Sequence, residues 1–236
     1  MIVLHSNLKS AIRNLQFSNT MLPSPAPDTC WLFLLRHGAT GHNLNRPPLL
    51  QGRGVNSSLS DVGRRQAEQT ADFLKAAQLS GVYCSDLLRA RETAQMIATP
   101  HKISVDVRPD LMEVDVGRWE NQSFIDIKRL EPEAFRLFMD DAGIHGFGGG
   151  ENLTQVLERV RPVFDEILAT HVGQTIAVVG HHVVNRTWLS YVLGLPLGKS
   201  SRLLQDNCCL NVIRYRGGET AIATLNSTFH LRAEFH

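Results

Sequence analysis

Trp31-Leu32-Phe33-Leu34-Leu35 runs straight into Arg36-His37-Gly38, and Thr175-Ile176-Ala177-Val178-Val179 runs the same way into Gly180-His181. A strand with one wet face alternates apolar and polar residues, so an unbroken apolar run predicts a strand covered on both faces. Two such strands, each delivering a histidine at its carboxyl end, point to a parallel sheet that carries its polar residues along one edge. The chain between and around them supplies the cover. Ser60 can cap a helix in which Ala67, Thr70, Ala71 and Leu74 recur at i, i+3, i+4 and i+7. Leu153, Val156, Leu157, Val160, Phe164 and Ile167 share one face of another, the strongest amphipathic pattern in the chain.

Weaker signals fill in the rest. Val82-Tyr83-Cys84 and residues 103–107 read as strands, and residues 86–98 as a helix stopped before Pro100. Residues 124–139 read as helical with a break near Pro132, and 185–192 as a further helix. Residues 210–215 and 220–225 read as two late strands around Gly217-Gly218. Residues 146–150 read as a flexible, glycine-rich approach to the helix that follows; no Gly-Lys-Ser/Thr follows, so they are not a nucleotide-binding P-loop. The pattern predicts a three-layer α/β/α sandwich, with a mainly parallel sheet and one antiparallel strand. No internal repeat is present.

Composition narrows the function classes. At 236 residues, 43% hydrophobic and 20% charged, the chain is long enough for one buried α/β core. A formal net charge of +1 provides no global field for nucleic acid or an anionic membrane, and no run of ~18 apolar residues predicts a membrane span. Anion chemistry must come from a local cluster. Cys30, Cys84, Cys208 and Cys209 lack C-x-x-C spacing and are expected to be buried, reduced thiols, which fits a cytoplasmic location. Residues 1–28 hold Lys9 and Arg13 and no acid before Asp28, a faint likeness to a transit peptide. We read them as a loose extension with Met21 as the natural start, Pro23, Pro25 and Pro27 linking it to a domain over 29–236.

Five segments in order carry a family resemblance. Leu34-Leu35-Arg36-His37-Gly38-Ala39-Thr40 with Asn43 resembles the signature of the histidine phosphatase (phosphoglycerate mutase-like) superfamily. Ser85-Asp86-Leu87-Leu88-Arg89-Ala90-Arg91-Glu92-Thr93-Ala94 is similar to its S-x-L-x-R-A-x-x-T-A segment. Leu111-Met112-Glu113 before Gly117-Arg118-Trp119-Glu120 resembles its acid motif, and Gly149-Gly150-Glu151 and Val178-Val179-Gly180-His181 complete the order. The resemblance spans residues 31–215 and lies nearest the branch of α-ribazole phosphatase and the broad-specificity phosphatases. It implies His37 as nucleophile, Glu113 as acid and base, and Arg36, Arg89 and His181 as the phosphate pocket. Thr40, Asn43, Gly52 and the backbone N–H of His182 are then near the substrate. No cofactor and no metal are expected; the partner is a small phosphomonoester rather than nucleic acid or membrane, and a homodimer is left open.

The residue types fit that chemistry on their own terms. A phosphomonoester carries nearly two negative charges, and the planar forks of Arg36 and Arg89 each match two phosphate oxygens. A neutral imidazole at His37 can attack phosphorus and split one displacement into two. Gly38, without a side chain, lets the chain approach the ligand closely. His181 can stabilise the spreading charge and Glu113 can protonate the leaving oxygen. Alternatives remain at this point: Arg89 as a surface residue of a helix start, Asp115 or Glu120 as the acid, and His181-His182 as a metal pair. Two departures separate the chain from relatives. His182 stands where many have Gly and the acid phosphatases have Asp, which argues against that branch. The segment Val114-Asp115-Val116-Gly117 lacks the Arg-His-Tyr-Gly pattern of glycolytic mutases, which favours hydrolysis over phosphate transfer between hydroxyls. A binding protein that no longer turns over is the third possibility.

Overall fold

The computed structural model describes residues 25–232, so most of the 1–28 extension lies outside the described residues. Six strands form one sheet in the order β3-β2-β4-β1-β5-β6: β1 (Thr29–Arg36), β2 (Leu79–Cys84), β3 (Val105–Val107), β4 (Thr175–Gly180), β5 (Leu210–Arg216) and β6 (Glu219–Ser227). β1, β2, β3 and β4 pair in parallel, and β5 runs against both β1 and β6. That is the expected sheet with one reversed strand. Gly217 (φ 59°) and Gly218 (φ 84°) join β5 to β6, supplying two successive left-handed residues that a two-residue hairpin turn requires.

Strand geometry divides the apolar runs between two cores. Leu32 and Leu34 of β1 and Ile176 and Val178 of β4 face one core. There they meet Val160 and Phe164 of the helix Leu153–Thr170, and Trp188 and Leu189 of the helix His182–Val192. Phe33 and Leu35, with Ala177 and Val179, face the other core. Their partners are Ala71 and Leu74 of the helix Asp61–Leu74, and Ala90, Ala94 and Ile97 of the helix Leu88–Ala98. Successive side chains point to opposite faces, so a continuous apolar run buries both. In chain order these helices and the pair Phe124–Leu130 and Pro132–Asp140 are α1 (Asp61–Leu74), α2 (Leu88–Ala98), α3 (Phe124–Leu130), α4 (Pro132–Asp140), α5 (Leu153–Thr170) and α6 (His182–Val192).

Ser60 caps α1 as predicted, its side chain accepting from Gly63 N–H at 3.1 Å. Four expectations shift. The strand expected over 103–107 keeps only its last three residues. α2 starts at Leu88, leaving Asp86 outside. The predicted 124–139 helix is two, because Pro132 has no N–H and starts a new one. α6 starts at His182 rather than 185, although Val183 and Val184 are β-branched; both N–H groups donate to the Glu113 carboxylate, which overrides local preference. Among the described residues no helix is long and apolar enough to cross a membrane, and all four cysteines are buried and unpaired.

Candidate active site

The register of β1 against β4 places Arg36 beside Gly180, and His37 N–H donates to the Gly180 carbonyl at 3.1 Å. His37 and His181, 144 residues apart in sequence, thereby become neighbours with ring centres 5.2 Å apart. Both rings are buried. Nδ1 of His37 lies 2.7 Å from the Gly38 carbonyl oxygen, which can only accept, so Nδ1 carries the proton and Nε2 keeps its lone pair. Burial first, then the guanidinium charges of Arg89 and Arg36, hold the His37 pKa well below its usual value, so the ring is neutral. The same causes, with His37 itself, depress His181. His181 Nε2 meets the Ser85 hydroxyl at 2.5 Å, while its buried Nδ1 has no partner among the described residues.

The cations converge on this pair. Arg89 is fully buried in α2, not on the surface; it donates to the carbonyls of Val55 (2.6 Å) and Gly52 (3.1 Å), and burial lowers its pKa to about 10. Arg36 donates to the Gln205 carbonyl at 2.8 Å. The Nε atoms of Arg36 and Arg89 are buried without a hydrogen-bond partner among the described residues. Buried donors of this kind cost about 1–3 kcal/mol each when left unmade, more when charged, so the arrangement is complementary to an anion.

Geometry sorts the three candidate acids. Glu120 is committed to structure, accepting from Gly52 N–H at 2.5 Å and Gly54 N–H at 3.1 Å. Asp115 accepts from Gly117 N–H and Arg53, both at 2.8 Å. Glu113 is buried at the amino end of α6, where the N–H groups of Val183 and Val184 reach it at 3.2 and 3.3 Å, next to His181. Arg159, paired with Glu151 at 2.8 Å, donates to the carbonyls of Met112 and Glu113 and so fixes the Glu113 backbone.

Thr40 and Asn43 lie in and just before the single helical turn Gly41–Leu44, with Thr40 Oγ1 donating to Gln51 Oε1 at 2.7 Å. Asn207 ties Asn43 (3.3 Å) to the His37 carbonyl (2.9 Å). Gly52 touches the site through Arg89. Gly38 has a packing reason beside the expected ligand approach: a Cβ there would lie 2.4 Å from the Gly63 carbonyl, so the packing of α1 requires the glycine. Residues 146–150 are not a loose approach either. Gly148 and Gly150 lie against the backbone of 115–119, a Cβ on Gly150 falling 2.1 Å from the Asp115 carbonyl oxygen. His182 does not form a metal pair with His181: its Nδ1 donates to the Gln205 carbonyl (3.2 Å) and its Nε2 accepts from Arg186 (3.3 Å). No cluster of three or more His, Cys, Asp or Glu suited to a metal occurs among the described residues.

Sequence reading missed Ser85's contact, Arg159, Arg186, Gln205 and Asn207. Arg186 was within reach, since it stands one helical turn after His182. Gln205 and Asn207 sit in an aperiodic loop, and nothing local marks them.

Comparison with known proteins now decides the family: the profile of the histidine phosphatase superfamily (branch 1) matches residues 32–228. The chain belongs to that superfamily. It is 32% identical over 206 residues to phosphoserine phosphatase 1 of Hydrogenobacter thermophilus, covering 87% of this chain and 95% of the relative. It is also 32% identical over 208 residues to the phosphoglycerate mutase-like protein 4 of Arabidopsis thaliana, covering 86% and 88%. Among solved structures it resembles the mycobacterial glucosyl-3-phosphoglycerate phosphatase, at 25% identity and a TM-score of 0.75, covering 85% and 100%. Members of the superfamily with such names are phosphatases or mutases, and the α/β fold matches that of the solved neighbour.

Proposed function

We propose that the protein is a metal-independent phosphomonoesterase that works through a phosphohistidine on a small phosphorylated metabolite. The observation that carries this reading is the state of His37: Nδ1–H is committed to the Gly38 carbonyl and the ring is held neutral, so Nε2 presents a lone pair beside two buried guanidinium groups with unmade bonds. In the first step Nε2 attacks phosphorus, the P–O ester bond breaks, and Glu113 gives its proton to the departing oxygen. In the second, water attacks phosphorus, the P–N bond breaks, and the water's proton returns to Glu113. Arg36, Arg89 and His181 supply the charge and donors that meet the phosphoryl oxygens, the role a metal ion plays elsewhere. The N–H of His182, the remaining donor of the first turn of α6, adds to them.

Hydrolysis of an aryl phosphate tests the proposal. Activity should survive EDTA, fall at least ~10³-fold in His37→Ala, and yield an acid-labile phosphoenzyme in rapid quench. Glu113→Gln should slow esters with poor leaving groups far more than aryl phosphates, because only the former need a proton. Full activity of His37→Ala would sink the mechanism. A requirement for 2,3-bisphosphoglycerate would move the protein to the mutases, and tight phosphate binding with no phosphoenzyme to the binding proteins.

A further inference from the structure

Arg186 is a third guanidinium at this site that the steps above leave without work. It lies on α6 and donates from one Nη to Nε2 of His182, while its Nε is buried with no partner among the described residues. His182 can accept that bond because its Nδ1–H is spent on the Gln205 carbonyl, the same oxygen that receives Arg36. The imidazole is neutral, pushed well below its usual pKa by burial, Arg36 and Arg186. His182 therefore holds one edge of the Arg186 fork and leaves the Nε edge to something else. Among the described residues no carboxylate forms an ion pair with Arg186, whereas Arg159 is balanced by Glu151.

Charge bookkeeping indicates what the partner is. Arg36, Arg89 and Arg186 carry three positive charges, that of Arg36 partly offset by Asp206, while His37, His181 and His182 carry none. A bound phosphomonoester dianion offsets two, and Glu113 must be protonated to assist departure. The positive charge left over belongs to Arg186, which lies near enough to Glu113 for the two groups to interact.

We propose that Arg186, steadied by His182, forms a second anion subsite that receives a carboxylate on the leaving group of the substrate. The proposal rests on the phosphatase reading and deepens it. The Nε/Nη edge of a guanidinium matches the two oxygens of a carboxylate, and a charge that does not take part in bond breaking can select the substrate without serving the chemistry.

O-phosphoserine and O-phosphoethanolamine differ only in a carboxylate, and glycerol 3-phosphate has a hydroxymethyl group where 3-phosphoglycerate has its carboxylate. The wild-type enzyme should favour the carboxylated member of each pair by tenfold or more in kcat/KM. Arg186→Met should bring that ratio close to one, chiefly through KM, and Arg186→Lys should keep part of it, since the charge stays but the fork is lost. Absence of a preference in the wild type, or an equal loss on both members in the variants, would overturn the subsite. Ligand-induced shifts in melting temperature with the same compounds give the second readout. If no phosphomonoester is turned over, the phosphatase reading fails by itself; a larger shift with O-phosphoserine that disappears in Arg186→Met would still uphold the subsite, and equal shifts would refute it.

Discussion

Arg89 illustrates how much of this site is spent on aiming a side chain. Two of its N–H groups donate to the carbonyls of Val55 and Gly52, and Gly52 is in turn held by Glu120. The guanidinium plane is set before any ligand arrives, which is where electrostatic stabilisation gains most. Lysine has one ammonium and no fork, so Arg89→Lys cannot serve both carbonyls and the phosphate. We expect kcat/KM to fall by about 10²–10³-fold, as for loss of one preorganised donor, measured with an aryl phosphate; retention within threefold would show that the charge alone suffices. The motif pointed to Arg89 in the sequence, but its burial was not legible, because Gly52, Val55 and Glu120 meet it only after folding.

At the scale of elements, α1 and the loop after β1 come into backbone contact. A Cβ on Gly63 would fall 2.0 Å from the Ala39 carbonyl oxygen, and one on Gly38 2.4 Å from the Gly63 carbonyl oxygen. Gly63 is helical, so Gly→Ala on propensity alone should stabilise by about 1 kcal/mol. The tertiary contact reverses the sign. Gly63→Ala should lower the melting temperature by several degrees and cut activity, because relief of the clash moves the 37–39 backbone that carries the proposed nucleophile. Thermal denaturation and kcat together check this, and a variant more stable than wild type would refute the contact. α6 shows the same precedence of tertiary over local forces: sequence patterns began it at 185, yet the Glu113 carboxylate at the N–H groups of Val183 and Val184 extends it to His182.

Across the whole molecule, burying three neutral histidines couples stability to pH. His37, His181 and His182 all have folded pKa values well below the usual 6.5, whereas the unfolded chain protonates them normally. Below about pH 6.5 the unfolded state therefore binds more protons, and stability present above that pH is lost as pH falls. From pH 7.5 to 5.5 each histidine contributes up to about 1.4 kcal/mol, together about 4 kcal/mol, or roughly 10 °C of melting temperature for a domain of this size. Calorimetry in a buffer free of phosphate should show this fall; a flat profile would mean that the rings protonate in place. Bound phosphate should shrink the effect, since an anion favours the charged imidazole.

The sheet was legible because burial on two faces leaves an unbroken apolar signature, and the motifs named His37, Glu113, Arg36, Arg89 and His181 because their chemistry needs those residue types in that order. Sequence by itself thus determined the layers, the reversed late strand and the family. It favoured Glu113 but left Asp115 and Glu120 as alternatives, because what separates them is what each carboxylate touches across the fold. Nor could it place Arg186, Gln205 and Asn207 beside residues more than 140 positions away, or show that Gly38 is required by its packing on α1. Those assignments belong to the tertiary structure, because hydrogen bonds and close backbone contacts depend on distances that no local pattern encodes.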